Sequence, residues 1–447
     1  MSPLWPECPS FNLRLIRPDL ESHITNRLTL GETDCYECNV GVTLESWCVD
    51  ALVNHAGGST DCSGDLSNLT IVVPSRNRHD YLLRQLRYWS SSSAHLVIVD
   101  GSKSPLSDQI RSAVETHPSI TYRHEASSFA ERLSVAGTLI KTPYAVMLGD
   151  DEFHLPSGLR AAVGVLEENR DLVGCMGQVL SFSPVDSYRR VVLARAYRSL
   201  SGYTVQCTSP PDRLFEGMAD YAMATCYAVL RSPVWKCSWG SIGDWGSGHA
   251  AEIQQAMAVF LLGDLSTTNC VQWLRSIENP NAPFSPAEEK RGKIWFPEWW
   301  EDQRYEPEHV AFVSRLAGIV ADELGVDHDE CASWTMIGAE VFVKDNRWLY
   351  EVGEPSQGLL ARLIPAAAET LRVLARRFPD PLFLGVKRWR GYVQRLLRHR
   401  GGDYYGTVED LPQIFNEEGL AVTPEAIAEI ASIEVLVREF HELRRQK

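Results

Sequence analysis

The chain has 447 residues, enough for about two to four domains with sizeable hydrophobic cores. Its 43 Lys and Arg residues against 58 Asp and Glu residues give a formal net charge of −15, which repels the phosphate backbone of nucleic acids. The hydrophobic fraction of 44% and the charged fraction of 23% exclude a wholly disordered, collagen-like or disulfide-scaffold chain.

The sequence shows no sign of membrane insertion or export. No stretch approaches the roughly 18 uncharged apolar residues of a membrane span, so we expect no transmembrane segment. The start, MSPLWPECPSFNLRLIRP, lacks the basic region and apolar block of a secretory signal, and we expect a cytoplasmic protein. The 11 scattered cysteines are expected to be mostly free thiols, and Cys35-x-x-Cys38 lacks the second tight pair of a typical zinc module.

Strands and helices alternate from Leu69 onward. Short apolar runs predict buried strands at 69–73, 95–100, 120–124 and 144–152, with Pro74 ending the first. Helical spacing follows each of the first three runs, around 81–89, 106–116 and 127–141. This order predicts an α/β fold with a doubly wound, mostly parallel, Rossmann-like sheet.

The regions on either side differ in composition. Residues 1–68 form an N-terminal extension that ends in the turn-rich GGSTDCSGDLSN, and the α/β domain occupies 69–284. We predict a mostly helical C-terminal domain over residues 285–447, because apolar residues recur every three to four positions in 312–325, 358–378 and 426–443.

Polar residues follow three of the predicted strands. In open α/β sheets, ligands bind beyond the carboxyl ends of the strands, so these residues are candidates for a common site. They are Pro74, Ser75, Arg76 and Asn77 after the first strand, Asp100, Gly101 and Ser102 after the second, and Asp150, Asp151 and Glu152 after the fourth.

The run of three acids indicates a cation. Adjacent carboxylates repel one another unless a positive charge neutralises them, and Mn²⁺ or Mg²⁺ bound to carboxylate oxygens would also bridge to phosphates. A solvated acidic turn is the alternative for Asp150–Glu152, and an ordinary turn is the alternative for Asp100–Ser102.

The segments TIVVPSRNR (70–78), IVDGS (98–102) and TPYAVMLGDDEF (142–153), in this order and spacing, resemble the nucleotide-sugar half of family-two-like GT-A glycosyltransferases. The resemblance covers roughly residues 69–265. It implies a nucleoside-diphosphate sugar, with UDP favoured, lying on these strand ends. Its base would lie near Pro74, Arg76 and Asp100, and its diphosphate on a metal held at 150–152. The family's acid motif is usually Asp-x-Asp or a run of aspartates, whereas this chain has Glu152 at the third position.

Inverting sugar transfer needs a general base that deprotonates the acceptor hydroxyl. Similar enzymes carry this base early in a helix that ends at a glycine, and Glu252 in HAAEIQQAMAVFLLG (249–263) fits this pattern. Asp244 is the competing carboxylate, and interaction of Glu252 with its own helix dipole is the alternative role. His249 is a weaker candidate for the diphosphate or metal, and Arg275 is a candidate for the diphosphate.

The sequence therefore predicts a metal-dependent glycosyltransferase that moves a sugar to an unidentified acceptor hydroxyl, with inversion. The alternatives are a sugar-phosphate nucleotidyltransferase, which normally carries a Gly-rich, Lys-containing phosphate loop, and a catalytically silent nucleotide-sugar-binding module. The basic amphipathic segment 386–400 allows contact with an anionic or membrane surface, although a packed helix with a solvated face is the simpler interpretation. The sequence is also compatible with a homo-oligomer.

Overall fold

The structure is a computed structural model, and it is described over residues 42–55, 65–185, 188, 190–279, 288, 290, 292–347 and 406–446. The Cys35-x-x-Cys38 motif, the predicted helix at 358–378 and the basic segment 386–400 lie outside the described residues. The domain limits proposed from composition stay predictions.

Nine strands and thirteen helices are named below. The strands are β1 (Leu69–Ser75), β2 (His95–Asp100), β3 (Ile120–His124), β4 (Tyr144–Met147), β5 (Phe153–His154), β6 (Leu172–Val185), β7 (Arg190–Ala196), β8 (Val229–Arg231) and β9 (Asp264–Ser276). The helices are α1 (Leu44–His55), α2 (His79–Trp89), α3 (Asp108–Glu115), α4 (Phe129–Leu139), α5 (Pro156–Glu168), α6 (Pro210–Ala219), α7 (Ser232–Cys237), α8 (Gly248–Leu262), α9 (Phe296–Glu301), α10 (Glu306–Leu324), α11 (His328–Asn346), α12 (Leu411–Glu417) and α13 (Pro424–Arg445).

The first four strands form the parallel part of the sheet. β1 pairs in parallel with β2 and β4, and β2 pairs in parallel with β3, which gives the spatial order β3-β2-β1-β4. The chain runs outward from β1 to β3 and then returns to the other side of β1, so the topological switch point lies between β1 and β4. The predicted fold class, a doubly wound α/β sheet followed by a helical region, is confirmed.

The sheet continues through strands of mixed direction. Beyond β4 the order is β8-β6-β9-β5, and β7 pairs with the second half of the long strand β6. β6 and β9 are parallel, whereas β8 is antiparallel to both β4 and β6. Sequence analysis did not predict these antiparallel strands, because its strand assignments ended at β4.

Pro74 lies within β1 instead of ending it. β1 pairs with β4 only as far as Val72 opposite Met147, while its pairing with β2 continues to Ser75 opposite Asp100. Pro74 therefore lies where β1 has a paired neighbour on one side only, and its missing N–H interrupts no hydrogen bond to β4. The expectation that this proline ends the strand is wrong by two residues.

Helices of the C-terminal region pack on the body of the protein. α11 packs between α10 and α6, and α6 packs on α8. α13 contacts α1, α2 and α5, so the last described helix lies against elements from the start of the α/β region. The predicted helices at 312–325 and 426–443 correspond to α10 and α13.

The described residues contain no helix of the length and hydropathy needed to cross a bilayer. The cysteines within these residues are free thiols: Cys48, Cys175, Cys207, Cys226, Cys237, Cys270 and Cys331.

Two glycines of α5 provide a matched test of how this helix packs on β9. A Cβ atom at Gly158 would lie 2.2 Å from the carbonyl oxygen of Val271 and 2.5 Å from Cα of Gln272, whereas one at Gly164 meets nothing within 4 Å. Gly158→Ala should lower the free energy of unfolding by about 2–3 kcal/mol, because the β9 backbone cannot move aside cheaply. Gly164→Ala should raise it by up to about 1 kcal/mol through helix propensity. Urea unfolding of both variants measures these changes, and equal effects would contradict the packing of α5 on β9.

Candidate active site

The carboxyl ends of β1, β2 and β4 meet at one edge of the sheet. Ser75 lies opposite Asp100 in the β1–β2 register, and the Leu148 amide donates to the Val72 carbonyl at 2.9 Å, which carries the chain beyond β4 alongside the end of β1. The Ser75 hydroxyl then donates to Oδ2 of Asp150 at 2.6 Å. The three strand ends predicted to share a site are therefore adjacent, at the switch point of the sheet.

Asp150 is buried and paired. Nη1 of Arg78 lies 2.7 Å from its Oδ1, and Ser75 occupies its other oxygen. The pKa of Asp150 is raised to about 6 in total. Burial is the main cause, neighbouring Asp151 also raises the pKa, and the Arg78 charge lowers it. The Arg78 cation thus favours the ionised form of a carboxyl that burial alone would disfavour more strongly.

Asp151 shares the same arginine. Its Oδ2 accepts from Nη2 of Arg78 at 2.6 Å and from Nδ2 of Asn279 at 2.8 Å. The guanidinium of Arg78 also lies 4.6 Å from the ring centroid of Tyr81, within cation–π range. One arginine, fixed over an aromatic ring, therefore bridges the two aspartates.

Glu152 is buried in different surroundings. Its Oε2 has no hydrogen-bond partner among the residues that the structure describes, and a Cβ atom on Gly149 would lie 2.7 Å from that oxygen. Burial raises the pKa of Glu152 to about 8, with a further increase from Asp151 and partial compensation from Tyr227 and Arg275. The neighbours of Glu152 are thus Tyr227 and Arg275, whereas the neighbour shared by the two aspartates is Arg78.

The predicted metal ligands do not converge. Asp150 and Asp151 are both paired with Arg78, whereas Glu152 has Tyr227, Trp273 and Arg275 as neighbours. Within the described part of the chain, no three His, Cys, Asp or Glu side chains are grouped so as to hold a metal ion. The acids as placed here do not fit a divalent cation, since a cation on the two aspartates would have to displace Arg78.

Asp100 is fully buried, and both of its oxygens are used. Oδ1 accepts from the amide and hydroxyl of Ser102, and Oδ2 accepts from the Tyr122 hydroxyl at 2.8 Å. Nε2 of His79 lies 3.3 Å from Oδ2. Asp100 therefore holds the turn after β2 in place, and Ser102 extends this network to the neighbouring turn.

The turn after β1 is anchored to the turn after β2. The Asn77 amide donates to Oγ of Ser102 at 2.7 Å, and Oδ1 of Asn77 accepts from the Lys103 amide at 3.2 Å. Asn77 has a φ of 57°, a left-handed conformation that asparagine tolerates better than most residues. Arg76 beside it is exposed, and Pro74 is half-buried.

Arg132 is a site residue that sequence analysis missed. It lies in the first turns of α4, which begins with a capping box formed by Ser128 and Glu131. Its Nη1 donates to the Ser75 carbonyl at 2.6 Å, and its side chain rests on Gly101, where a Cβ atom would lie 2.6 Å from Nε. The Ser-x-x-Glu signature could have located the helix start and so placed Arg132 beside the strand ends.

Arg132 brings a cation into the same cluster as the acids. Burial lowers its pKa to about 10, and the nearby Arg76 charge lowers it further, whereas Asp100, Asp150 and Asp244 raise it. The guanidinium stays charged at neutral pH because a pKa of about 10 lies well above 7. Arg132 and Arg76 together place two cations at the strand ends, and Asp244, which is exposed, lies close enough to interact with Arg132.

Glu252 lies early in α8, as predicted. Ser247 caps this helix, and Oε1 of Glu252 accepts from the Tyr221 hydroxyl at 2.8 Å. Desolvation raises the pKa of Glu252, and the charge of Lys293 is the largest opposing influence. A carboxyl with a raised pKa is better matched to accepting a proton near neutral pH than an ordinary glutamate.

Arg275 links Glu252 to Glu152. It lowers the pKa of both carboxyls, so its charge lies near each of them. Its guanidinium lies 5.6 Å from the ring centroid of Tyr197, and it makes no hydrogen bond or ion pair to another described residue. The cation expected to meet a diphosphate therefore lies near two buried acids, and its N–H donors are not used by another described side chain.

His249 is a packed core residue. Its Nδ1 accepts from the Phe296 amide at 2.9 Å, and its ring packs edge-on against Trp295. Burial lowers its pKa well below the ordinary value, so the imidazole is neutral. These contacts indicate that His249 is a packed side chain, without a role shown at the diphosphate or a metal.

A second buried arginine, Arg84, supports the backbone at Asp151 and the chain just after β9. Arg84 donates to the Asp151 carbonyl at 2.8 Å and forms an ion pair with Glu278, also at 2.8 Å. Burial on its own would raise the pKa of Glu278, but the Arg84 charge and a hydrogen bond from His441 lower it to about 2. Glu278 is thus ionised at neutral pH although it is buried.

No model of a known protein family matches this chain, and no curated protein matches it. Solved structures of S. aureus TarS are similar to it in overall arrangement. TarS 1–349 in complex with UDP-GlcNAc has a TM-score of 0.42 and 11% sequence identity, covering 74% of this chain and 90% of that chain. TarS 1–349 in complex with UDP has a TM-score of 0.40 at the same identity and coverage.

The bridging position of Arg78 can be tested with Mn²⁺. Arg78→Met should raise the affinity of the donor-free protein for Mn²⁺ by about tenfold or more, because it leaves Asp150 and Asp151 without their cation. Electron paramagnetic resonance of free and bound Mn²⁺ measures the affinity. The double variant Arg78→Met, Asp151→Asn is the control and should lose most of the gain. Unchanged Mn²⁺ affinity in Arg78→Met would contradict the role of Arg78.

The ion pair of Glu278 predicts a pH-dependent stability. Because its pKa is lowered from 4.5 to about 2, the group stabilises the fold above pH 4.5, and this contribution is lost as the pH falls towards 2. Glu278→Gln should therefore cost about 3 kcal/mol at pH 7 and progressively less below pH 4.5. Urea unfolding at several pH values measures this. Glu301→Gln, which removes an exposed partner of Arg347, should cost at most about 1 kcal/mol. A cost for Glu278→Gln that does not change with pH would refute the assignment.

Proposed function

We propose that this protein is a glycosyltransferase that moves a sugar from a nucleoside-diphosphate sugar, UDP being the favoured nucleotide, to an acceptor hydroxyl. The observation that carries the proposal is the meeting of Ser75, Asp100 and Asp150 with Arg132 at the switch point of a parallel sheet. This is where open α/β sheets bind nucleotides. The separate carboxyl of Glu252 supplies a base for the second substrate.

The strand ends would bind the donor. Pro74, Asn77 and the turn Asp100–Ser102 would form the nucleoside side, which the network around Asp100 and Ser102 keeps rigid. Arg132 and Arg76 would meet the diphosphate, because arginines bind phosphate oxygens through several N–H donors. Asp150 supports this arrangement through Ser75, whose carbonyl also fixes Arg132.

Glu252 would act as the general base. Its carboxylate takes the proton of the acceptor hydroxyl, the hydroxyl oxygen attacks the anomeric carbon, and the bond from that carbon to the diphosphate oxygen breaks. The diphosphate leaves with the electron pair, and the arginine cations stabilise its charge. Attack from the face opposite the diphosphate gives inversion, which the anomeric configuration of the product would test.

The metal dependence predicted from sequence stays a prediction. A divalent cation would supply further positive charge for the leaving diphosphate, but the acids at 150–152 as placed here do not fit it. Donor affinity measured in Mn²⁺, in Mg²⁺ and after chelation tests whether donor binding depends on a metal ion. An acceptor hydroxyl, a homo-oligomer and contact with an anionic surface likewise stay predictions.

Glu252→Gln should separate binding from transfer. The amide keeps the size of the side chain and its contact with Tyr221 but takes no proton, so transfer should fall by about 10²-fold or more while donor affinity changes little. Isothermal titration with UDP-sugars measures binding, and release of UDP with an acceptor mixture measures transfer. Asp244→Asn is the matched control and should retain most activity. If Asp244→Asn loses transfer and Glu252→Gln retains it, the general base is Asp244. If the wild type binds the donor without hydrolysis or transfer, the protein is a silent binding module.

A further inference from the structure

The last turns of α13 reach the loop that carries the acids. We call residues 149–152 the acid loop. Nε2 of His441 forms a short hydrogen bond with Oε1 of Glu278, and Glu278 pairs with Arg84, whose Nη2 donates to the Asp151 carbonyl. A continuous set of buried polar contacts thus joins α13 to the backbone of the acid loop.

A second connection ends on the side chain of Asp151. Nη1 of Arg444 donates to the Tyr81 hydroxyl at 3.2 Å, and that hydroxyl donates to Oδ1 of Asn279 at 3.0 Å. Nδ2 of Asn279 donates to Oδ2 of Asp151 at 2.8 Å. Nε of Arg444 is also 3.2 Å from Asp80, which fixes the arginine on α2.

Apolar and aromatic packing holds the connection in place. The Phe440 ring lies 5.1 Å from the Tyr81 ring, and the Arg84 guanidinium lies 4.7 Å from the Phe440 centroid. The ring of Tyr188 stacks on His441 at 4.0 Å. Because Arg84, Glu278 and His441 are nearly or fully buried, the loss of one member leaves another charge or donor unpaired.

We propose that α13 positions the donor site, with His441 as the residue that holds the acid loop through Glu278 and Arg84. This inference rests on the proposed function. His441 touches neither Asp150 nor Arg132, so its effect would pass through the geometry of the acid loop. Loss of the His441 side chain should therefore weaken donor binding even at temperatures where the variant is fully folded.

The test compares two positions on the same helix. His441→Ala removes the bond to Glu278, His441→Gln offers an amide donor in its place, and Glu434→Ala removes a different tether of α13, the bond from the Val191 amide. Donor affinity should fall by about fivefold or more in His441→Ala, recover mostly in His441→Gln and change by less than about twofold in Glu434→Ala. Titration with UDP-sugars at a temperature well below each melting point measures these values.

Hydrogen exchange gives a readout that needs no ligand. Amides over 148–153 should exchange faster in His441→Ala than in the wild type, and at the wild-type rate in Glu434→Ala. Equal exchange and equal donor affinity in the two alanine variants would overturn the proposal. If the wild type binds no nucleotide sugar, the proposed function fails, and the exchange comparison still decides whether α13 holds the acid loop.

Discussion

Compensation of buried negative charge governs this site. Three consecutive acids leave the carboxyl end of β4, and Asp100 lies close to them at the end of β2. Carboxylates removed from water and placed near one another are stable only when cations or hydrogen-bond donors neutralise them. The protein supplies Arg78 to the two aspartates and Arg275 near Glu152, while Asp100 is stabilised by hydrogen bonds from Ser102 and Tyr122. These partners occupy oxygens of the acids, so their positions determine which carboxylate oxygens a ligand can contact.

The parallel part of the fold could be predicted from sequence because its signals are local. Runs such as LTIVV and HLVIVD are apolar on both faces, which is typical of strands covered on both sides. The parallel order then places their carboxyl ends together, so Ser75, Asp100 and Asp150 could be assigned to one site without coordinates. Glu252 was placed correctly at the start of a helix by its distance from Gly263.

The rest of the site depends on contacts between residues far apart in sequence. Nothing near Arg78 in the sequence indicates that it pairs with Asp150 and Asp151, some seventy positions later. The acid run was visible in the sequence, whereas the arginine that pairs with it was not, so the sequence alone favoured a metal ion at these acids. Strands β5 to β9 were not predicted. β5 and β8 have only two and three residues, and β9 pairs with β5 and β6, which lie far from it in the sequence.

Two glycines at the rim restrict what the sequence can become. Arg132 lies directly on Gly101, and Oε2 of Glu152 lies directly over Gly149, with no room for even a methyl group at either position. A side chain at either position would require Arg132 or Glu152 to shift. A substitution at 101 or 149 would thus act on the strand ends by moving a charged neighbour, so these two glycines keep an arginine and a carboxyl in place without touching a ligand themselves.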